Sequence, residues 1–161
     1  MTDKYVNADI VANKKGSGYE VGGTLLVPLC QTEEIISTDN DGDIYRFFKG
    51  VSGDCKIVDL LVFSDAITSA TDYDIGFYEV NGGAVVDADA LLSSGDISGG
   101  KAVGSGLSGL SAVDVADLAN PIYELAGHTV ATRKAAYDIC VTANTVGSAT
   151  GTVTLQLKLA R

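Results

Sequence analysis

Three aspartates alternate in "STDNDGDIY", residues 37–45: Asp39, Asp41 and Asp43. Alternating carboxylates around a glycine are calcium chemistry, because a hard cation gathers several oxygen ligands. The spacing departs from the helix–loop–helix calcium pattern. Counted from Asp39, the next two aspartates fit its third and fifth positions. Gly42 then falls at the fourth, Ile44 at the sixth, and Val51 where the closing glutamate belongs. The stretch reads better as a turn ahead of a strand, with Asp and Asn side chains bonding to nearby backbone and Gly42 supplying a permissive dihedral. A looser calcium site built on loop carbonyls is the other reading the spacing admits.

Other residues invite catalytic readings. Asp72 with Asp74, and Asp87 with Asp89, are each two apart. On a strand that puts both carboxylates on one face, where a glycosidase would place an acid and a base. Sugar-handling sites stack rings on aromatics, and the chain has no Trp, so these acids read as turn formers and strand-end solvators. His128 is the only histidine, and any Ser-His-Asp or Cys-His relay must use it. It follows Gly127 in a predicted turn, and no Ser or Cys has a nucleophile context. "GSGLSG", residues 104–109, matches GxGxxG. The dinucleotide motif also needs a buried strand before it, a long helix after it and an acid about twenty residues on. "SGGKA" precedes it and Glu124 falls in a predicted short helix, so a loop is the reading. We therefore assign no catalytic, cofactor-binding or metal residue, and expect no enzyme.

The elements that carry these residues are strands. "TVTLQLKLA" alternates Val153, Leu155, Leu157 and Leu159 with polar residues, the period of a strand with one wet face. "AAYDICVTA" does the same, and the loop "NTVGSATG" between the two predicts an antiparallel pair. "DYDIGFYEV" runs into "NGG", a hairpin turn, and a short "AVV" returns. "CKIVDLLVF" is apolar on both faces near its end and reads as central. "IYRFFK" is a further strand. "TLLVPLC" is one too, which Pro28 demotes to an edge. Residues 93–109 are Gly/Ser-rich and read as a long loop with a short strand at most. Two short helices are expected. "SAVDVADLA" would be capped by Ser111, with Asp114 three residues on. "NPIYELAG" would be capped by Asn120, with Pro121 at the first helical position and Gly127 as the stop. The sum is an all-β chain: a β-sandwich of jelly-roll type over residues 24–161, preceded by a polar arm over residues 1–23.

Composition narrows the partners. With 21 acids against 11 bases the net charge is −10, which repels duplex DNA and anionic membranes. No apolar run approaches the length of a membrane span, and "MTDKYVNADIVANKKG" lacks the apolar core of an export signal, so a cytoplasmic folding site is expected. Cys30, Cys55 and Cys140 are far apart and odd in number, and read as small buried hydrophobes.

One resemblance goes further. An Asp-Gly turn leading into "YRFF", then "KIVDLLVFSDAIT", "ATDYDIGFYE", "GGAVVDADAL", "PIYELAG" and "YDICVTANTVGSATGTVTLQLKL" follow one another over roughly residues 40–160. In wording and order this resembles the decoration, or cement, proteins of tailed bacteriophages, which bind the outside of the capsid and stabilise the head. The resemblance implies a virion structural protein. Its partners would be the major capsid protein and further copies of itself, commonly as a homotrimer. It would be made in the host cytoplasm and located on the capsid exterior, with no cofactor, nucleic acid or membrane. The alternative is a carbohydrate-binding or adhesive β-sandwich of a phage tail fibre or spike, with Tyr45, Tyr73, Tyr78 and Tyr123 as its sugar platform.

Overall fold

The structure is a computed structural model that describes residues 3–5, 19–21 and 24–161, with side chains from Leu26 onward. In chain order the elements are β1 (Asp3–Tyr5), β2 (Tyr19–Val21), β3 (Thr24–Ile35), β4 (Asp43–Ser52), β5 (Lys56–Ser64), β6 (Asp72–Tyr78), β7 (Val85–Gly95), β8 (Leu107–Ser108), α1 (Ile122–Leu125), β9 (Ala136–Thr145) and β10 (Gly151–Ala160). They form two five-stranded sheets, ordered β2-β3-β10-β5-β8 and β1-β4-β9-β6-β7. The chain is a β-sandwich, as the strand spacing predicts. Outside β1 and β2, the expected arm over 1–23 lies beyond the described residues.

Alternation builds the first sheet. β10 lies between β3 and β5, antiparallel to both. Val153, Leu155, Leu157 and Leu159 point into the core, and Thr154 and Lys158 point away from it. The outer face is polar: Thr32 shares a hydrogen bond with Thr154 at 2.9 Å, and the Lys158 ammonium pairs with Asp59 at 2.8 Å. β3 is not the edge strand that Pro28 predicts: it lies between β2 and β10, and Pro28 is accommodated toward one end of it. The β2 pairing ends at Leu26, so Pro28 falls beyond the strip that pairs with β2.

The second sheet is antiparallel except for the parallel pair β1–β4. In β4, Arg46 lies opposite Cys140 and Phe48 opposite Ile139, two steps against one. This bulge lets both Phe47 and Phe48 enter the core beside Tyr137, Ile139 and Phe77. β9 departs from expectation. Its inner face is buried, but so are Asp138, Cys140 and Thr142 on the other side. The wet face predicted for "AAYDICVTA" is absent because β7 folds over it. A Cβ on Gly76 would lie 2.0 Å from the Asp87 carbonyl oxygen and 2.5 Å from the Ala88 carbonyl carbon, so that backbone runs directly above Gly76. Ala88 then packs on Ile44, Tyr78 and Cys140.

Most connections change sheet. From β3 onward only the β6–β7 hairpin joins neighbours, with Glu79 N–H donating to Ala84 O at 2.8 Å and Asn81 and Gly82 at φ 58° and 77°; before it, the consecutive strands β2 and β3 also pair antiparallel. β9 and β10, expected to pair, lie in opposite sheets: the loop between them crosses the sandwich edge. The return strand is also longer than "AVV", running eleven residues to Gly95. Of the two expected helices, only α1 forms. Asp114 Oδ1 instead accepts the Ala116 N–H, closing a turn, and Asn120 donates to Asp117 rather than capping. Pro121 takes the cap position and Gly127, at φ 73°, ends the element as expected. Cys55 and Cys140 are buried, but Cys30 is exposed on the outer face of β3, against the expectation that all three are buried.

Replacing Gly76 by Ala drives a methyl into the backbone of β7, and overpacking of this kind costs about 1–3 kcal/mol. Gly99 has no neighbour within 4 Å of a Cβ. Chemical denaturation should therefore show Gly76→Ala unfolding at clearly lower denaturant than the parent, and Gly99→Ala close to it. Equal midpoints for the two variants would contradict the placement of β7.

Candidate functional site

The three aspartates of the opening turn each hold backbone. Asp39 Oδ2 accepts the Ile36 N–H at 3.2 Å and the Tyr45 hydroxyl at 2.7 Å. Asp41 Oδ1 reaches across to accept the Val146 N–H at 3.0 Å, tying the β3–β4 and β9–β10 loops together. Asp43 is buried and accepts the Asn40 N–H at 3.1 Å. Gly42 has φ 84° and donates to Ala143 O at 2.7 Å. The cluster also sets the ionisation of the tyrosines beneath it. Burial, then the hydrogen bond to Asp39, pushes the Tyr45 phenol far above the usual range. Burial, then the charges of Asp39 and Asp41, does the same to Tyr73, whose hydroxyl donates to Val146 O at 3.0 Å. Among the described residues, no three His, Cys, Asp or Glu side chains are grouped so as to hold a metal ion.

A second constellation escaped the sequence reading. Arg46 and Asp138 are each only 1% exposed, and their charged groups meet at 3.0 Å between β4 and β9. The guanidinium also donates to Glu79 O at 3.0 Å and Gly83 O at 2.8 Å, and lies 5.4 Å from the centre of the Tyr78 ring. Asp138 Oδ1 accepts the Gly50 N–H at 2.8 Å. Two charges taken out of water are tolerated only when each is met by such partners. The signal was present in "IYRFF" and "YDICV", each a single charge inside an otherwise apolar strand.

The carboxylate pairs divide. Asp72 and Asp74 share a face of β6, and the Asn144 amide reaches both, at 3.4 and 2.6 Å. Asp87 and Asp89 line a cleft of about 430 Å³, together with Asp114, Asp117 and Glu124. Burial first, and the hydrogen-bonded Asp89 next, raises the Asp87 carboxyl above its ordinary range. His128 lies outside this cleft's lining: its Nδ1 meets the buried Tyr137 hydroxyl at 2.5 Å, and that hydroxyl accepts the Lys134 N–H. The GxGxxG stretch is a packing device. β8 pairs with Leu61 and Val62 of β5, and a Cβ on Gly106 or Gly109 would meet Phe63 at 2.6 Å or Leu60 at 2.5 Å. The four tyrosines of the sugar-platform reading are all buried, so none presents a ring face to a ligand.

No family model, no curated protein and no solved structure matches this chain.

Two outcomes follow. Truncating one member of a buried ion pair costs about 3–5 kcal/mol, because the other charge is left uncompensated. Asp138→Ala should lose stability on that scale, while the Arg46→Met, Asp138→Leu double variant should lose less than the sum of its single changes, as read by a double-mutant cycle in urea. Simple additivity would show that the two groups do not depend on one another. For Asp87, a folded-state pKa above the unfolded value means that ionisation costs stability. The cost is absent below an unfolded pKa of ~4, appears as pH rises through the raised value, and persists at neutral pH. Asp87→Asn should therefore be more stable than the parent at neutral pH, with the margin vanishing on acidification. A margin that grows toward acid pH would reverse the sign.

Proposed function

We propose that the chain is a virion structural protein, a decoration or cement protein that binds the outside of a tailed-phage capsid and stabilises it. The major capsid protein is its partner, and it works as a homo-oligomer. The observation that carries this reading is where the resembling segments fall. The Asp-Gly turn and "YRFF" are the start of β4, "KIVDLLVFS" is β5, "DYDIGFY" is β6, "VVDADAL" is β7, "IYEL" is α1, and the last segment is β9 and β10. The likeness thus runs through the framework of the sandwich rather than through one loop. The sandwich is proposed to be a jelly roll. Strands β4-β9-β6-β7 face β3-β10-β5-β8, with one hairpin and otherwise sheet-changing connections, and this order supports that topology.

The physics of attachment fits such a scaffold. A sandwich whose central strand β9 is buried on both sides holds its loops in fixed relation. Many fixed copies on a repeating shell turn modest contacts into firm binding by avidity. The tethered loop ends, linked by Asp41 to Val146 and by Ser148 N–H to Thr68 O at 2.8 Å, are the kind of rigid surface this requires.

Quantitative mass spectrometry of density-purified particles that encode the chain tests the reading. A copy number near that of the major shell protein is expected. A handful of copies would move the protein to the tail or a fibre, and absence from the particle would overturn the proposal.

A further inference from the structure

The β6–β7 turn carries an Asn-Gly dipeptide, Asn81–Gly82, beside the buried arginine. Of the chain's asparagines, Asn81 alone is followed by glycine. Glycine lacks the Cβ that shields a backbone nitrogen from a preceding side chain. Asn81 is exposed, and its φ of 58° is a conformation asparagine tolerates better than most residues. The turn's backbone bonds run from Glu79 N–H to Ala84 O and from Gly83 N–H to Val80 O, and the Gly82 N–H takes no part in them. The turn's carbonyls do matter to the interior: Glu79 O and Gly83 O, on either side of the dipeptide, both accept from Arg46.

We propose that Asn81–Gly82 is a self-modification site, whose isoaspartyl product weakens the hold of the turn on Arg46. The Gly82 nitrogen gives its proton to solvent and attacks Asn81 Cγ. A new N–Cγ bond closes a succinimide ring, the Cγ–Nδ2 bond breaks, and ammonia leaves with a proton from solvent. Water then opens the ring. Hydrolysis at Cγ gives an aspartyl residue. Hydrolysis at the backbone carbonyl gives an isoaspartyl residue, in which the main chain runs through the former side chain. One ammonia leaves, one water enters, and no electron is transferred. The isoaspartyl product adds a methylene to the main chain between Glu79 and Gly83. The two carbonyls then no longer keep the separation that the planar guanidinium spans, and a buried charge loses acceptors it needs.

The test is ageing of the folded protein at mildly alkaline pH, followed by peptide mapping and isoaspartyl detection with the repair methyltransferase. Asn81 should convert before Asn40 and Asn144. The isoaspartyl fraction, separated by charge, should unfold at lower denaturant than the starting protein. The Asn81→Asp variant carries the new charge without the extra methylene and should keep a midpoint close to the parent. Three results would overturn the proposal: conversion at Asn81 no faster than at Asn40 and Asn144, an unchanged midpoint for the isoaspartyl fraction, or an equal loss in Asn81→Asp.

Discussion

A charged pair buried outside the main core decides how this sandwich is built. Arg46 and Asp138 lie on the outer side of the β1-β4-β9-β6-β7 sheet, where an ordinary sandwich meets water. Such a pair survives burial only if every remaining donor and acceptor is answered. The answers come from three separate elements: Gly50 at the end of β4, Glu79 and Gly83 in the β6–β7 turn, and the Tyr78 ring. Placing the pair therefore places the hairpin. The hairpin in turn brings the Asp87–Ala88 backbone over Gly76 and seals Cys140 beneath it. A position without a side chain and a charge without water are two sides of the same arrangement.

The opposite sheet obeys simpler rules and was correspondingly easy to read. In "TVTLQLKLA" the alternation of Leu with Thr, Gln and Lys assigns each side chain its side, and the structure keeps that assignment. The hairpin was equally plain, because "NGG" demands positive dihedrals that few other residues supply. What misled was adjacency. β9 and β10 are consecutive strands joined by a short loop, the usual mark of a pair, but the loop spans the two layers. Period alone names the faces of a strand and not its neighbour. The same limit applies to "SAVDVADLA", where Asp114 bonds to its own turn instead of starting a helix.

The candidate chemistry was legible in its outline and not in its partners. The aspartates of residues 39–43 were recognisable as turn formers from the glycine between them. That Asp41 bonds to Val146, more than a hundred positions on, is a fact of tertiary structure. Arg46 and Asp138 were visible as isolated charges in apolar strands, but that they meet at 3.0 Å is a fact of tertiary structure. The acid-lined cleft joins Asp87 and Asp89 to Asp114, Asp117 and Glu124, two regions that no local pattern connects.

In the proposed role the sandwich is a fixed plate that binds a shell. The most direct measurement is add-back to particles that lack the protein, reading both the bound amount and the temperature at which the heads release their DNA. Saturable binding at a fixed ratio to the shell protein, with release moved to higher temperature, is the predicted result. Particles that take up none of the protein, or that take it up and release DNA at an unchanged temperature, would contradict the account.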